Sequence, residues 1–237
     1  MSNENHINTY FDRIFIINLK RRPDRKEQMI NKLKKAGITN YEFVEAIDGS
    51  SEPCMSLYKI KIKSRQFIEG PGAFGILYSA LKVLIYAKMK KLKNILILED
   101  DAIFMKDFTL TFNNRIKNIP QWKLLYFGTS MHCWRFNERC HINQNKQYLK
   151  AEGTIPGAFA IGIDQSIFQE LINYIRMSIK PWDLEPLRNI NTKYGNEVIV
   201  FYPYLIIAQT SDSNIRDSKS LIENAGECGW NLGLYDI

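Results

Sequence analysis

Long apolar runs are missing from this chain. Its greasiest stretches, residues 14–19 and 94–98, are only strand length, so no transmembrane segment is expected. The start, MSNENHINTY, has no basic segment leading into an apolar core, which argues against a secretory signal and predicts a cytoplasmic location. Cysteine is scarce: Cys54, Cys133, Cys140 and Cys228 show neither C-x-x-C nor zinc-ribbon spacing. The pairs His132-Cys133 and Cys140-His141 fit no common zinc pattern, so unpaired thiols in a reducing compartment are expected. Low-complexity tracts, long polar linkers and internal repeats are also absent. That leaves residues 1–10 as a flexible polar N-terminus and residues 11–237 as a single domain.

What is present is ordinary for a globular protein: 45 % apolar and 24 % charged residues, in a chain long enough for one substantial core. The formal charge is +7, from 32 Lys and Arg against 25 Asp and Glu, and favours anionic partners such as a nucleotide diphosphate or phosphorylated glycan. The lysines gather in KEQMINKLKKAG and YAKMKKLKN, which read as solvated helix faces. No RNA-recognition strand or recognition-helix pattern accompanies them, so nucleic acid is not an expected partner.

Residues 13–19, RIFIINL, read as a strand buried on both faces. RRPDRKEQMINKLKKAG reads as a helix: Pro23 suits its first turn, Asp24 and Glu27 complement its N-terminus, and Gly37 stops it. Met29, Ile30 and Leu33 make its expected buried stripe. A strand over 41–47 ends at the turn signal Asp48-Gly49, completing a β–α–β unit with parallel strands. A helix over 74–92 leads into the strand of NILILEDDAIF. Strands follow in WKLLYFG, GAFAIGI and NEVIVFYPYLIIAQT, and helices in QSIFQELINYI and PWDLEPLRNINTKYG. This alternation predicts an α/β fold with a mainly parallel central sheet and helices on both faces.

The informative feature is Glu99-Asp100-Asp101, three carboxylates closing a buried apolar strand. Adjacent like charges there call for a cationic neighbour. On an extended chain Glu99 and Asp101 share a face while Asp100 points away. Hard oxygen ligands suit magnesium or manganese, and ligands of open α/β sheets collect at strand carboxyl ends. The alternative is an acidic turn neutralised by local lysines.

Several blocks resemble glycosyltransferase family 25, the group of lipooligosaccharide and procollagen galactosyltransferases. They are IFIINLKRRPDRKEQM, FVEAIDG, GAFGILYSALKVLIYA, ILILEDDAIF, GTIPGAFAIGIDQSIFQELI, and IKPWDLEPL with YPYLIIAQTSDSNIR, in family order from Arg13 to Arg216. The resemblance implies a GT-A type fold, a UDP-sugar donor, a divalent ion (Mn2+ or Mg2+) on the acidic motif, and transfer with inversion. The hexose is expected to be galactose or glucose, and the acceptor a glycan or a collagen-like hydroxylysine. Where family members carry Glu, and later Ser-His, in the Gly-x-x-Gly helix, this chain has Ala73 and Ser79-Ala80. A non-catalytic nucleotide-sugar- or carbohydrate-binding relic of the same fold is therefore the alternative reading.

Roles follow from that resemblance together with residue chemistry. Glu99 and Asp101 are the expected metal ligands, and Asp212 is either a third ligand or an Asx-turn acid. Arg21, Arg22 and Arg25 offer forked donors to phosphate, aided by the helix N-terminus near Pro23. Asn18 and Asp48 are assigned to uracil or ribose, Asp100 to ribose or donor sugar, and Gly72, with Gly75 and Gly157, to close backbone approach or to packing. Asp183 and Glu185 are the expected general bases, with Asp183 favoured and a helix N-cap as its bland alternative. Trp182, Trp134 and Phe74 are either sugar-stacking or core aromatics.

Overall fold

The structure is a computed structural model that describes residues 6–63, 70–130, 147–150, 153–178, 180–210 and 220–237. Strand β1 (Arg13–Asn18) is buried at every position after Arg13, as an uninterrupted apolar run requires. Helix α2 (Pro23–Lys35) carries Asp24 in its first turn and Lys32, Lys34 and Lys35 in its last, both favourable to the helix dipole. It stops at Gly37, whose left-handed φ of 66° suits glycine. Its buried stripe is Arg25, Met29 and Leu33, spaced by four residues; Ile30, expected inside, is 38 % exposed. The face turned inward thus carries a guanidinium into the interior, which matters below.

Strand β2 (Tyr41–Glu45) lies parallel to β1, completing the expected β–α–β unit. Helices α3 (Cys54–Lys63) and α4 (Pro71–Met89) lead to β3 (Asn94–Glu99) and the short β4 (Ala102–Phe104). By length and composition alone α4 could cross a membrane, contrary to the strand-length runs noted above. Half of that window is enclosed, with Phe74, Leu77 and Leu84 in the core, as in a central helix of a globular fold. Then come α5 (Phe108–Ile116), β5 (Leu124–Tyr126), β6 (Tyr148–Lys150), β7 (Ala160–Asp164) and α6 (Phe168–Met177). The chain continues through α7 (Pro186–Lys193), β8 (Val198–Phe201), β9 (Ile206–Ala208) and α8 (Leu221–Cys228).

The main sheet has the order β2-β1-β3-β7-β5-β8-β6, while β4 and β9 form a separate antiparallel pair. Five strands of the main sheet share a direction, but β7 and β6 oppose them. The sheet is therefore mixed, with five of its seven strands parallel to one another. Strand β7 is buried at four of its five positions, so its apolar run gives no sign of its direction.

Residues 7–10 fall within the N-terminal segment expected to be loose. Residues Ile7–Tyr10 form a helical turn, α1, and Ile7 and Phe11 are fully buried. Tyr10 stacks on Trp122, whose indole N–H donates to the Tyr10 hydroxyl at 2.8 Å. Two apolar anchors and an aromatic clasp outweigh the polar composition around them. Cys54 and Cys228 are buried. The other two cysteines, with His132, His141 and Trp134, lie outside the described residues.

Candidate functional site

Strands β1 and β3 run parallel with Ile17 opposite Glu99, so Asn18 and the acidic run emerge together at the carboxyl edge of the sheet. Asp100 turns inward and is 8 % exposed. One of its oxygens accepts from Asn18 Nδ2 at 2.7 Å and the other from Arg25 Nη1 at 2.9 Å. Asn18 Nδ2 also donates to the Arg22 carbonyl, tying the strand end to the start of α2. Arg25 Nη1 lies 3.7 Å from Asp101 Oδ2. Asn18 and Asp100, expected at uracil, ribose or sugar, bond each other, and Arg25, expected at phosphate, engages carboxylates through Nη1.

Glu99 and Asp101 are destabilised as anions. Burial first, then Asp101, Asp100 and Asp183 in that order, raise the Glu99 carboxyl well above the usual range. Burial raises Asp101 to about 6; Arg25 and Lys32 pull it down while Asp100 pushes it up. Lys32, itself lowered by burial, donates to the Ala102 carbonyl at 2.8 Å. Within this interacting set four carboxylates (Glu99, Asp100, Asp101, Asp183) face two cations (Arg25, Lys32). Among the described residues that leaves two more acidic groups than basic ones, and such a site gains from a cation.

A cleft of about 130 Å3 opens beside the cluster, lined by Arg21, Arg25, Asp48, Gly72, Glu99 and Asp101 among others. Its wall is held by close packing. A Cβ on Gly49 would lie 1.6 Å from the Pro71 carbonyl oxygen, so glycine alone lets the loop after β2 abut the start of α4. Ser79 Oγ donates to Gly75 O at 2.7 Å and accepts from Ile47 N at 2.8 Å, pinning the same loop. Arg21, half exposed, bonds Asp48 at 2.6 Å. Burial raises the Asp48 carboxyl, and the hydrogen bonds from Arg21 and Ser50 outweigh it, leaving a net lowering. A larger concavity of about 840 Å3 lies between α2, β4 and α5, but it lacks the acidic convergence on which the chemistry turns.

The other expected site residues divide. Arg22 turns onto Asp24 at 2.7 Å. Asp183 accepts from Gly157 N at 3.1 Å and is close enough to Glu99 to raise its carboxyl. Glu185 instead accepts from Ser178 Oγ at 2.7 Å, away from that cluster. Asp212 lies outside the described residues. Trp182 and Phe74 are 2 % and 1 % exposed and serve the core, and Gly75 is a packing glycine against Ile47 O.

Among the described residues no group of three His, Cys, Asp or Glu side chains is set to hold a metal ion. The oxygens do fit one in another respect: Asp101 Oδ1 is buried and has no hydrogen-bond partner among the described residues. An unpartnered anionic oxygen in a site short of positive charge suits a hard divalent cation that completes its shell with substrate oxygens and water.

The family model Glycosyltransferase family 25 (LPS biosynthesis protein) matches residues 11–183, well over half of the chain. The chain belongs to glycosyltransferase family 25. Within family 25 it is 34 % identical over 128 residues to the Glycosyltransferase 25 family member of Drosophila melanogaster, covering 49 % of this chain and 21 % of that one. It is 34 % identical over 133 residues to procollagen galactosyltransferase 2 of Homo sapiens, covering 50 % and 21 %. The Homo sapiens protein called inactive glycosyltransferase 25 family member 3 is 29 % identical over 133 residues, covering 50 % and 22 %. The matched segment spans about a fifth of each relative.

Four residues of the site were not singled out from sequence as site residues: Lys32, Ser79, Gln209 and Thr210. Lys32 occupies a lysine-rich helix end that reads as solvated. Gln209 reaches the acidic turn only through the pairing of β4 with β9, which no local pattern announces, and Thr210 is the residue after it.

Proposed function

We propose that this chain is a metal-dependent, inverting hexosyltransferase of GT-A type that moves galactose or glucose from a UDP-sugar to a hydroxyl of a glycan or a collagen-like hydroxylysine. The observation that carries the reading is the cleft at the carboxyl ends of β1 and β3, lined by Glu99, Asp100 and Asp101 together with Arg21 and Arg25. Membership of a glycosyltransferase family supports the transferase class, and the name of the human galactosyltransferase relative supports a hexose.

In this reading Glu99 and Asp101 would hold Mn2+ or Mg2+. The ion, when bound, offsets negative charge on the departing diphosphate. Arg21 and Arg22 serve the diphosphate, and Asp48 and Gly72 flank the nucleoside. Asp183 takes the proton of the acceptor hydroxyl as its oxygen attacks the anomeric carbon, and UDP leaves from the opposite side. The Gly157 N–H bond holds the Asp183 carboxylate in place for that role. Glu185, engaged by Ser178, is the weaker choice of base.

A thermal-shift panel of UDP-sugars with Mn2+, followed by UDP-release assays, tests the proposal. Metal-dependent stabilisation by UDP and loss of both signals in a Glu99→Ala/Asp101→Ala double variant are the expected results. No metal-dependent nucleotide binding in the wild type would end the reading. A second reading, a sugar-nucleotide-binding relic, is favoured by the buried Ala73 and Ala80 in α4 and by the likeness to a human relative named inactive. It predicts UDP binding with no UDP release to any acceptor, water included.

A further inference from the structure

Three buried side-chain oxygens have no hydrogen-bond partner among the described residues: Asp101 Oδ1, Gln209 Oε1 and Thr210 Oγ1. They are not scattered. Strand β4 pairs with β9 in antiparallel register, Ala102 opposite Ala208, and the backbone continues one step further, Gln209 N donating to Asp101 O at 2.9 Å. Residues directly opposite in an antiparallel pair project to one face with Cβ atoms about 5 Å apart. Asp101 and Gln209 are such a pair; Thr210 is the next residue along the chain. Buried polar atoms are normally satisfied, so two unsatisfied acceptors facing each other across this pair mark the place of a missing partner.

The chemistry of that partner is legible. A carboxylate and an amide carbonyl are hard oxygen donors, without sulfur or imidazole, the set that suits magnesium or manganese rather than zinc. No described Lys or Arg fills the role: Lys32 donates to the Ala102 carbonyl, and the Arg25 contact reaches the other Asp101 oxygen. The shortage of acidic ligands noted above leaves neutral oxygens to complete the shell.

We infer that Gln209 is a neutral oxygen ligand standing beside Asp101 for the divalent cation. This rests on the metal-dependent reading of the site and adds one residue to it. The test is Mn2+ titration of the full chain followed by electron paramagnetic resonance, with Mn2+ alone and with UDP present. Gln209→Leu should weaken Mn2+ binding about tenfold or more. Gln209→Glu, which keeps an oxygen in place and adds charge, should bind Mn2+ at least as tightly as the wild type and guards against a Leu variant that fails to fold. Wild-type Mn2+ affinity in Gln209→Leu, alongside its loss in Asp101→Asn, overturns this inference and leaves the metal reading intact. Weaker binding by Gln209→Glu overturns it too. Absence of Mn2+ binding by the wild type, with or without UDP, defeats the underlying reading instead.

Discussion

Replacing Asp101 by Asn should make the metal-free protein more stable and the enzyme inert. The Asp101 carboxyl is displaced from 3.8 to about 6, with burial the first cause, opposed by Arg25 and Lys32 and reinforced by Asp100. An acid whose folded-state pKa is raised holds its proton more tightly in the folded chain than in the unfolded one. Stability therefore falls as pH rises from about 4 to about 6 and is level above. At about 1.4 kcal/mol per pH unit, the ionised side chain opposes folding by at most about 3 kcal/mol at pH 7.5. Coupling to Glu99 spreads this burden over two groups, so about 1–3 kcal/mol of relief is expected from a neutral isostere, or ~2–8 °C in Tm for a chain of this size. Calorimetry in EDTA at pH 7.5 and again near pH 4 measures it. The gain should be present at the higher pH and nearly absent at the lower one, where Asp101 is protonated anyway. With Mn2+ and UDP the order should reverse, the wild type rising and the variant not responding. A variant less stable than wild type in EDTA at pH 7.5, or a gain independent of pH, would refute the electrostatic argument.

Arg25→Met leaves Asp100 buried against Asn18 alone and should lower stability by about 3–5 kcal/mol, seen as a fall in denaturation midpoint at unchanged m. Asp183→Asn should abolish UDP release to acceptor while leaving Mn2+-dependent UDP binding within about twofold, by calorimetry, because the group acts on the acceptor. Gly49→Ala must displace the loop from the Pro71 carbonyl and should weaken UDP binding more than it lowers Tm. Ser79→Ala strands the Ile47 N–H and should cost about 1–3 kcal/mol by chemical denaturation.

Much of the framework was readable from local pattern. The run RIFIINL, the helix signals from Pro23 to Gly37 and the strand ending in three carboxylates each carry their cause within a few neighbouring residues. Elements without such signals went unread: α3, β4, α5, β6 and α8. Strand β4 is three residues long and lies directly after the acidic turn, so it merges with β3 in sequence. Ile30 and Arg25 show the limit within a helix. Helical spacing admits either side chain to the inner face, and only the partners across the interface, Asp100 and Asp101, select arginine.

Sequence alone determined that a buried strand would end in adjacent carboxylates, and that such a cluster needs positive charge. It could not determine which carboxylate would be spent internally. Asp100 is claimed by Asn18 and Arg25, from a strand and a helix some 80 residues earlier, leaving Glu99 and Asp101 with the unrelieved charge. Nor could it bring Gln209 beside Asp101, since strand pairing across roughly a hundred residues depends on the whole sheet and not on any local preference.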